Sequence, residues 1–185
     1  METAGRTPVR DAALRRRSRS KVDDRAPSRD ELLELVAAAA TVADHSGLVP
    51  WRIIEIRGDA RETVGRAIAV AGGAEGDAAD KLAGKPLRAP LLLAVVLSPR
   101  ESRKVPEWEQ ESVASGVAHL LSLLLDEAGW GVMWRTGIWT RADAVAQAHE
   151  LLPGEKLLGW LYVGGAFGDE KPRKPFDASR VVSSL

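Results

Sequence analysis

The sequence predicts a single domain in which a sheet packs between helices, as either an α/β or an α+β layer. Strand-like and helix-like segments alternate along the chain. Residues 91–97 form a continuous apolar run of strand length, which indicates a central strand covered on both faces. Residues 107–128 repeat leucine and valine at helical spacing. A chain of 185 residues is long enough to bury about 70% of its unfolded surface in one core.

The other elements follow from capping residues, periodicity and β-branched content. Ser28 followed by Glu31 matches a capping box and starts a helix. Thr140 followed by Asp143 suggests the cap of a later helix, and Gly129 is available to end the longest one. The predicted helices cover residues 29–42, 60–70, 77–82, 107–128 and about 140–151, with a possible helical start at 11–19. The predicted strands are 51–57, 91–97, 130–135 and 157–163.

Several classes of site are excluded by composition and motif. The chain has no cysteine, which excludes disulfides and thiolate sites, and its three histidines are isolated and outside any HExxH pattern. Its sequence contains no P-loop, nucleophile elbow or dinucleotide fingerprint. The longest apolar run is far shorter than the roughly 20 residues of a membrane helix. Because no apolar segment follows the first basic residues, we expect a cytoplasmic protein without a membrane span.

Charge is concentrated at the N-terminus. Residues 1–25 hold eight Lys or Arg against four Asp or Glu, although the whole chain has a net charge of zero. The stretch 14–21 (LRRRSRSK) is suited to an anion, which leaves a nucleic acid, a membrane surface, a protein partner and a cofactor phosphate as alternatives. Since the remainder of the chain is mildly acidic, nucleic-acid binding is disfavoured.

Five separated motifs stand out along the chain. They are Arg16-Arg17-Ser18-Arg19-Ser20, Asp44-His45 with Pro50-Trp51, Pro106 with Trp108-Glu109-Gln110-Glu111, Gly131 with Trp134-Arg135-Thr136-Gly137, and Gly159-Trp160-Leu161-Tyr162-Val163-Gly164. Together they resemble the nitroreductase family of flavoproteins, in particular its small single-domain NAD(P)H-dependent members. The resemblance covers roughly residues 12–168, and the motifs occur in the order found in the family.

The resemblance implies an α+β fold with a central, mostly antiparallel sheet flanked by helices. It also implies an intertwined homodimer with two FMN sites at the interface. FMN would be reduced by NAD(P)H and reoxidised by a small nitro or quinone-like acceptor, in ping-pong fashion. The FMN-binding domain would span residues 12–168, after a disordered arm (1–11) and before an extended tail (169–185) that packs on the dimer.

The site residues also come from the resemblance. The N-terminal motif would hold the phosphate and polar edge of FMN, for which guanidinium forks and hydroxyls are suited. The loop histidine would reach the flavin of the other subunit, and the strand-end motif would make the second contact, on the phosphate side. The implied cofactor-binding residues are Arg16, Arg17, Ser18, Ser20, His45, Trp134, Arg135 and Thr136. No metal ligand and no catalytic side chain are predicted, because the flavin itself supplies the chemistry.

Two departures from the family pattern leave an alternative open. Ser20 stands where many relatives have an arginine, and Thr41 stands where the small members have an arginine four residues before the histidine. A weaker hold on the phosphate is compatible with a flavin-binding dimer that performs a regulatory or structural role without turnover. Among the tryptophans, Trp51, Trp134 and Trp139 are candidates for the pocket wall. Trp130 and Trp160 lie in apolar strands and are predicted to be core residues.

Overall fold

A computed structural model describes residues 8–168 and 175–185. The two described parts contain six α-helices and four β-strands, together with short 3₁₀ turns. The helices are α1 (Pro8–Arg15), α2 (Arg29–Ala39), α3 (Ala60–Ala71), α4 (Gly76–Ala83), α5 (Glu107–Glu127) and α6 (Asp143–Ala148). The strands are β1 (Trp51–Ile56), β2 (Leu91–Leu97), β3 (Trp130–Arg135) and β4 (Lys156–Gly165). The 3₁₀ turns are His45–Gly47, Pro86–Arg88, Ile138–Arg141 and Ala178–Arg180.

The strands form one antiparallel sheet in the order β1-β2-β4-β3. Every residue of β2 is buried, which confirms the predicted central strand and explains its unbroken apolar sequence. A bulge between Val95 and Val96 shifts the pairing of β2 with β4. The sheet and its helices confirm the α+β class.

The two faces of the sheet carry separate apolar cores. One core contains α2, α5 and alternate residues of β2, including Leu93, Val95 and Leu97. The other packs α3 and α6 against the opposite residues, including Leu92, Ala94 and Val96. Alternate residues of a strand point to opposite faces, so one apolar strand contributes to both cores. The site described below lies on the second face.

Of the two helix caps predicted from the sequence, one is confirmed and one is wrong. Ser28 caps α2 as predicted, because its hydroxyl accepts a hydrogen bond from the backbone N–H of Glu31 at 3.2 Å. The carboxylate of Glu31 accepts a hydrogen bond from Trp130 Nε1 at 2.6 Å. The cap predicted at Thr140 is wrong: α6 begins after Ala142, and the Thr140 hydroxyl donates to the carbonyl of Gly137. Thr140 therefore belongs to the preceding 3₁₀ turn.

The N-terminal segment lies beside β3, the edge strand of the sheet, and continues past the end of β4. Ser18 forms a bridge with Val132 of β3, and Val22 forms one with Ala166 just after β4. Helix α1 begins at Pro8, so residues 8–11 are helical instead of belonging to the disordered arm predicted for 1–11. Residues 1–7 of that arm lie outside the described residues, as do residues 169–174 of the predicted tail. Among the described helices, none has the length and apolar character needed to cross a membrane.

Candidate functional site

A pocket of about 300 Å³ opens on the sheet face that packs against α3 and α6. Four parts of the chain build it: the end of β3 with the turn after it, the middle of β4, the 3₁₀ turn before β2 with Lys85 just ahead of it, and α3. The lining residues are Ile68, Lys85, Arg88, Met133, Trp134, Arg135, Thr136, Trp139, Trp160 and Tyr162. The volume is at the lower end of the range for small-molecule sites.

The strand register places the aromatic and cationic side chains on this face. Met133 pairs with Tyr162 and Arg135 with Trp160 across the β3–β4 ladder. Directly opposed residues share one face of a sheet, so these four side chains lie together. The guanidinium of Arg135 lies 5.1 Å from the centroid of the Tyr162 ring. The pocket floor is therefore a consequence of the β3–β4 register.

Trp134 lies on the other face of β3 and packs against the core that contains α5. Its ring meets the ring of His119, on α5, edge to face with centroids 5.0 Å apart. A β-carbon on Gly159 would lie 2.7 Å from Trp134 Nε1 and 2.5 Å from the Arg135 carbonyl oxygen. Gly159 also has a φ of +146°, which side-chain-bearing residues rarely adopt. Because Gly159 has no side chain, the indole of Trp134 and the backbone carbonyl of Arg135 can pack directly against it.

The pocket is electrostatically positive. Its described lining residues include three cations and no carboxylate. The ammonium of Lys85 lies 4.1 Å from the centroid of the Trp139 ring. Burial, together with the charges of Arg88 and Arg135, lowers the pKa of Lys85. These cations repel one another, so an anionic or electron-rich ligand would be stabilised here.

Buried donors without partners lie in the pocket and in the N-terminal motif. Among the described residues, Arg135 Nε, Trp134 Nε1 and Arg17 Nε are buried and make no hydrogen bond. An unsatisfied buried donor costs about 1–3 kcal/mol, so such atoms are normally paired. Two of the three belong to residues that line the pocket. The buried Nε of Arg135 fits a ligand that offers an oxygen or nitrogen acceptor in the pocket.

The structure brings the N-terminal motif to β3 by backbone pairing. The N–H of Arg19 donates to the Val132 carbonyl at 2.9 Å, beside the Ser18 bridge. Arg17 Nη1 donates to the last two carbonyls of α1, at 2.6 Å for Leu14 and 2.9 Å for Arg15, and to the next carbonyl, that of Arg16, at 2.9 Å. Arg16 and Arg17 are partly buried, whereas the hydroxyl-bearing Ser18 and Ser20 are exposed. These residues adjoin the strand that carries Trp134 and Arg135 without lining the pocket itself.

His45 lies elsewhere in the single chain. It lines a broad depression of about 640 Å³ between α5 and the segment that follows α2, together with the exposed Trp108. Its Nδ1 lies 2.9 Å from a carboxylate oxygen of Glu109. The described chain therefore brings Trp134, Arg135 and Thr136 into one pocket with the N-terminal motif nearby, and leaves His45 apart.

Six lining residues were not predicted as site residues, namely Ile68, Lys85, Arg88, Met133, Trp160 and Tyr162. For Lys85 and Arg88, two cations around a proline just before a buried strand were a usable signal. Trp160 was predicted to be a core residue, and it is 3% exposed. It nevertheless also lines the pocket. Trp139 lines the pocket as predicted, whereas Trp51 packs against the core on the other face.

The family is established by sequence. A model of the nitroreductase family matches residues 13–165 of the chain. The chain therefore belongs to the nitroreductase family, as its motifs suggested, and is an enzyme of the oxidoreductase class.

Individual relatives agree with this assignment. The chain is 33% identical over 154 residues to YdjA of Escherichia coli (strain K12), provisionally named an NAD(P)H nitroreductase. That match covers 82% of this chain and 84% of YdjA. Among solved structures, the nitroreductase-like family protein from Bacillus cereus aligns with a TM-score of 0.84 at 18% identity, covering 100% of this chain and 99% of that one. The FMN- and NADPH-dependent nitroreductase NfnB from Sphigopyxis sp. strain HMH aligns with a TM-score of 0.74 at 17% identity, covering 96% and 98%.

Proposed function

We propose that the chain is an FMN-dependent oxidoreductase that works as a homodimer and passes a hydride from NAD(P)H to nitro or quinone-like acceptors in ping-pong fashion. The observation that carries this proposal is the positive aromatic pocket on β3 and β4 with its unpaired buried donors. The names of NfnB, with FMN and NADPH, and of YdjA, with NAD(P)H, support the choice of cofactors.

The residues of the pocket fit a flavin. Trp139, Trp160 and Tyr162 give the lining an aromatic character that suits a flat ring system. Arg135 and Lys85 supply donors and positive charge for its polar edge. We therefore place the ring in this pocket, and the phosphate with Arg16, Arg17 and Ser18, where charge-assisted hydrogen bonds would hold it. Trp134, Arg135 and Thr136 then adjoin the ring, while Ser20 lies at the exposed margin.

When bound, FMN would supply hydride transfer between NAD(P)H and the acceptor. The chain's contribution is to position the ring and to set the charge around it. Lys85, Arg88 and Arg135 would supply positive charge beside the ring, which favours its reduction. Tyr162 keeps its phenolic proton, since burial raises its pKa. Protons for the acceptor are then supplied by solvent.

The second subunit would complete the site. His45 lies in an open depression whose lining is largely apolar, as expected for a surface that meets another copy. We propose that it reaches the flavin of the partner subunit across this contact. Within one chain, His45 lies outside the pocket, which is what we expect of a residue that contacts the flavin of the other subunit.

Steady-state turnover tests the enzymatic part of the proposal. The protein loaded with FMN is expected to oxidise NADH or NADPH in the presence of a nitroaromatic or quinone acceptor. Flavin bound without any turnover would instead support the regulatory or structural dimer. Thr41, whose hydroxyl donates to the Ala38 carbonyl, replaces a cation expected near the cofactor and favours that alternative.

A further inference from the structure

We propose that His149 is a positioning residue for the cofactor pocket, in which it fixes the indole of Trp160 through a hydrogen bond. This inference rests on the proposed function, because it assigns Trp160 to the wall of the flavin site. The N–H of Trp160 points at His149 Nε2, at 2.8 Å. His149 does not line the pocket and would act only through the tryptophan.

Both nitrogens of the His149 ring have a defined partner. Nδ1 lies 2.7 Å from the carbonyl oxygen of Val145, at the end of α6. A carbonyl only accepts, so Nδ1 must carry the proton, and an indole only donates, so Nε2 must be unprotonated. The two contacts therefore select a single neutral tautomer. The same ring therefore links a backbone carbonyl of α6 to the indole of the tryptophan.

The environment maintains this neutral form. The side chain of His149 is buried, and burial lowers its pKa. The nearby charge of Arg52 acts in the same direction. A protonated ring would direct an N–H of His149 at the N–H of Trp160 and break the contact. At neutral pH, His149 Nε2 therefore stays unprotonated and accepts the hydrogen bond from Trp160.

The hydrogen bond between His149 and Trp160 affects the pocket because Trp160 forms part of its wall. Trp160 pairs with Arg135 across the β3–β4 ladder and with Ala94 across the β2–β4 ladder, in the middle of the sheet. Its indole thus fills the space between α6 and the pocket. Without an acceptor at His149, this buried N–H would lose its partner, and the ring would rotate toward another one. The wall against which the flavin stacks would no longer be fixed.

A double-mutant cycle tests the role. FMN dissociation constants are measured for the full chain and for H149F, W160F and the double variant. H149F is expected to raise the FMN dissociation constant roughly tenfold, and to have little further effect in the W160F background. H149Q keeps an acceptor and should remain within about threefold of the wild type. If H149F does not fold, H149L removes the acceptor with a smaller apolar side chain.

A second readout needs no cofactor. In the ¹⁵N-labelled protein without FMN, the indole N–H signal of Trp160, assigned with W160F, should exchange slowly with solvent. It should stay protected in H149Q and lose protection in H149F. An unchanged FMN dissociation constant in H149F, or an equal loss in the W160F background, would overturn the positioning role. A wild-type chain that shows the protected N–H but binds no FMN would overturn the proposed function instead.

Discussion

Arg135 differs from the other arginines near the pocket because its Nε is buried without a partner while its guanidinium lies over Tyr162. Replacing it with glutamine should raise the FMN dissociation constant about 10- to 100-fold, the scale of a charge-assisted hydrogen bond. Arg141 is exposed on the adjoining 3₁₀ turn, and R141Q is the matched control. Fluorescence titration of FMN measures both variants. Equal affinities would remove Arg135 from the site.

His149 also predicts how stability depends on pH. Its pKa is lowered in the folded state, so the unfolded chain binds the proton more readily. Its contribution is fully present above its ordinary value of 6.5 and is lost as pH falls through the region below it. The charged groups around it are Arg52 and Glu55 on β1 and the adjacent Glu150.

Denaturant unfolding between pH 7.5 and 5 measures this dependence. The wild type should lose stability as pH falls, by up to about 1.4 kcal/mol for each pH unit at which one proton is taken up on unfolding. H149Q should lose less over the same range, since it has no group to titrate. Parallel pH profiles for the two proteins would show that another group is responsible.

At the level of elements, β4 depends on Gly159 at the point where it passes β3. An alanine there would strain the backbone and press on Trp134 and the carbonyl of Arg135. G159A should lower the free energy of unfolding by about 2–4 kcal/mol and weaken FMN binding in the protein that folds.

Gly154 supplies the control. Its φ is also positive, at +86°, but a β-carbon there would meet no atom within 4 Å. G154A should therefore cost only the backbone strain, about 1–2 kcal/mol, and leave FMN affinity unchanged. Urea unfolding and FMN titration of both variants separate backbone strain from displacement of the pocket wall. Identical effects of G159A and G154A on both quantities would contradict the role of Gly159 at the pocket.

At the level of the whole molecule, the open depression between α5 and the segment that follows α2 predicts self-association. Trp108 lines it and is 69% exposed in the single chain, next to Glu109. We expect a dimer in sedimentation at micromolar concentration and a shift toward monomer in W108E. Leu152 is similarly exposed, at 64%, outside this depression, and L152E should remain dimeric. A wild-type monomer, or equal effects of both variants, would contradict a dimer through this surface.

Much of the fold was accessible from sequence because it is encoded locally. The apolar run of β2, the Ser28 cap and the periodicity of α5 each depend on neighbours a few residues away. Helix boundaries were less accurate: α2 ends at Ala39, three residues before the predicted Val42, and residues 8–11 are helical. Short-range patterns specify that an element exists better than where it ends.

The pocket depends on long-range placement, which sequence patterns do not contain. Lys85 and Arg88 reach Arg135 only because the 3₁₀ turn before β2 comes against the end of β3. Trp160 is both a core residue and a wall residue, since the buried sheet itself forms the floor of the pocket. Trp134, Arg135 and Thr136 are consecutive residues at the end of one strand, so the family motif was sufficient to predict that they lie together.

The visible absorbance spectrum tests the central claim, that this chain binds FMN in the pocket on β3 and β4, most directly. The purified protein, before and after addition of FMN and then NADPH, should show a bound flavin whose visible absorption band is bleached by NADPH, as expected for the cofactor chemistry. R135Q should show less bound flavin at the same FMN concentration. A colourless protein that takes up no FMN would contradict the account.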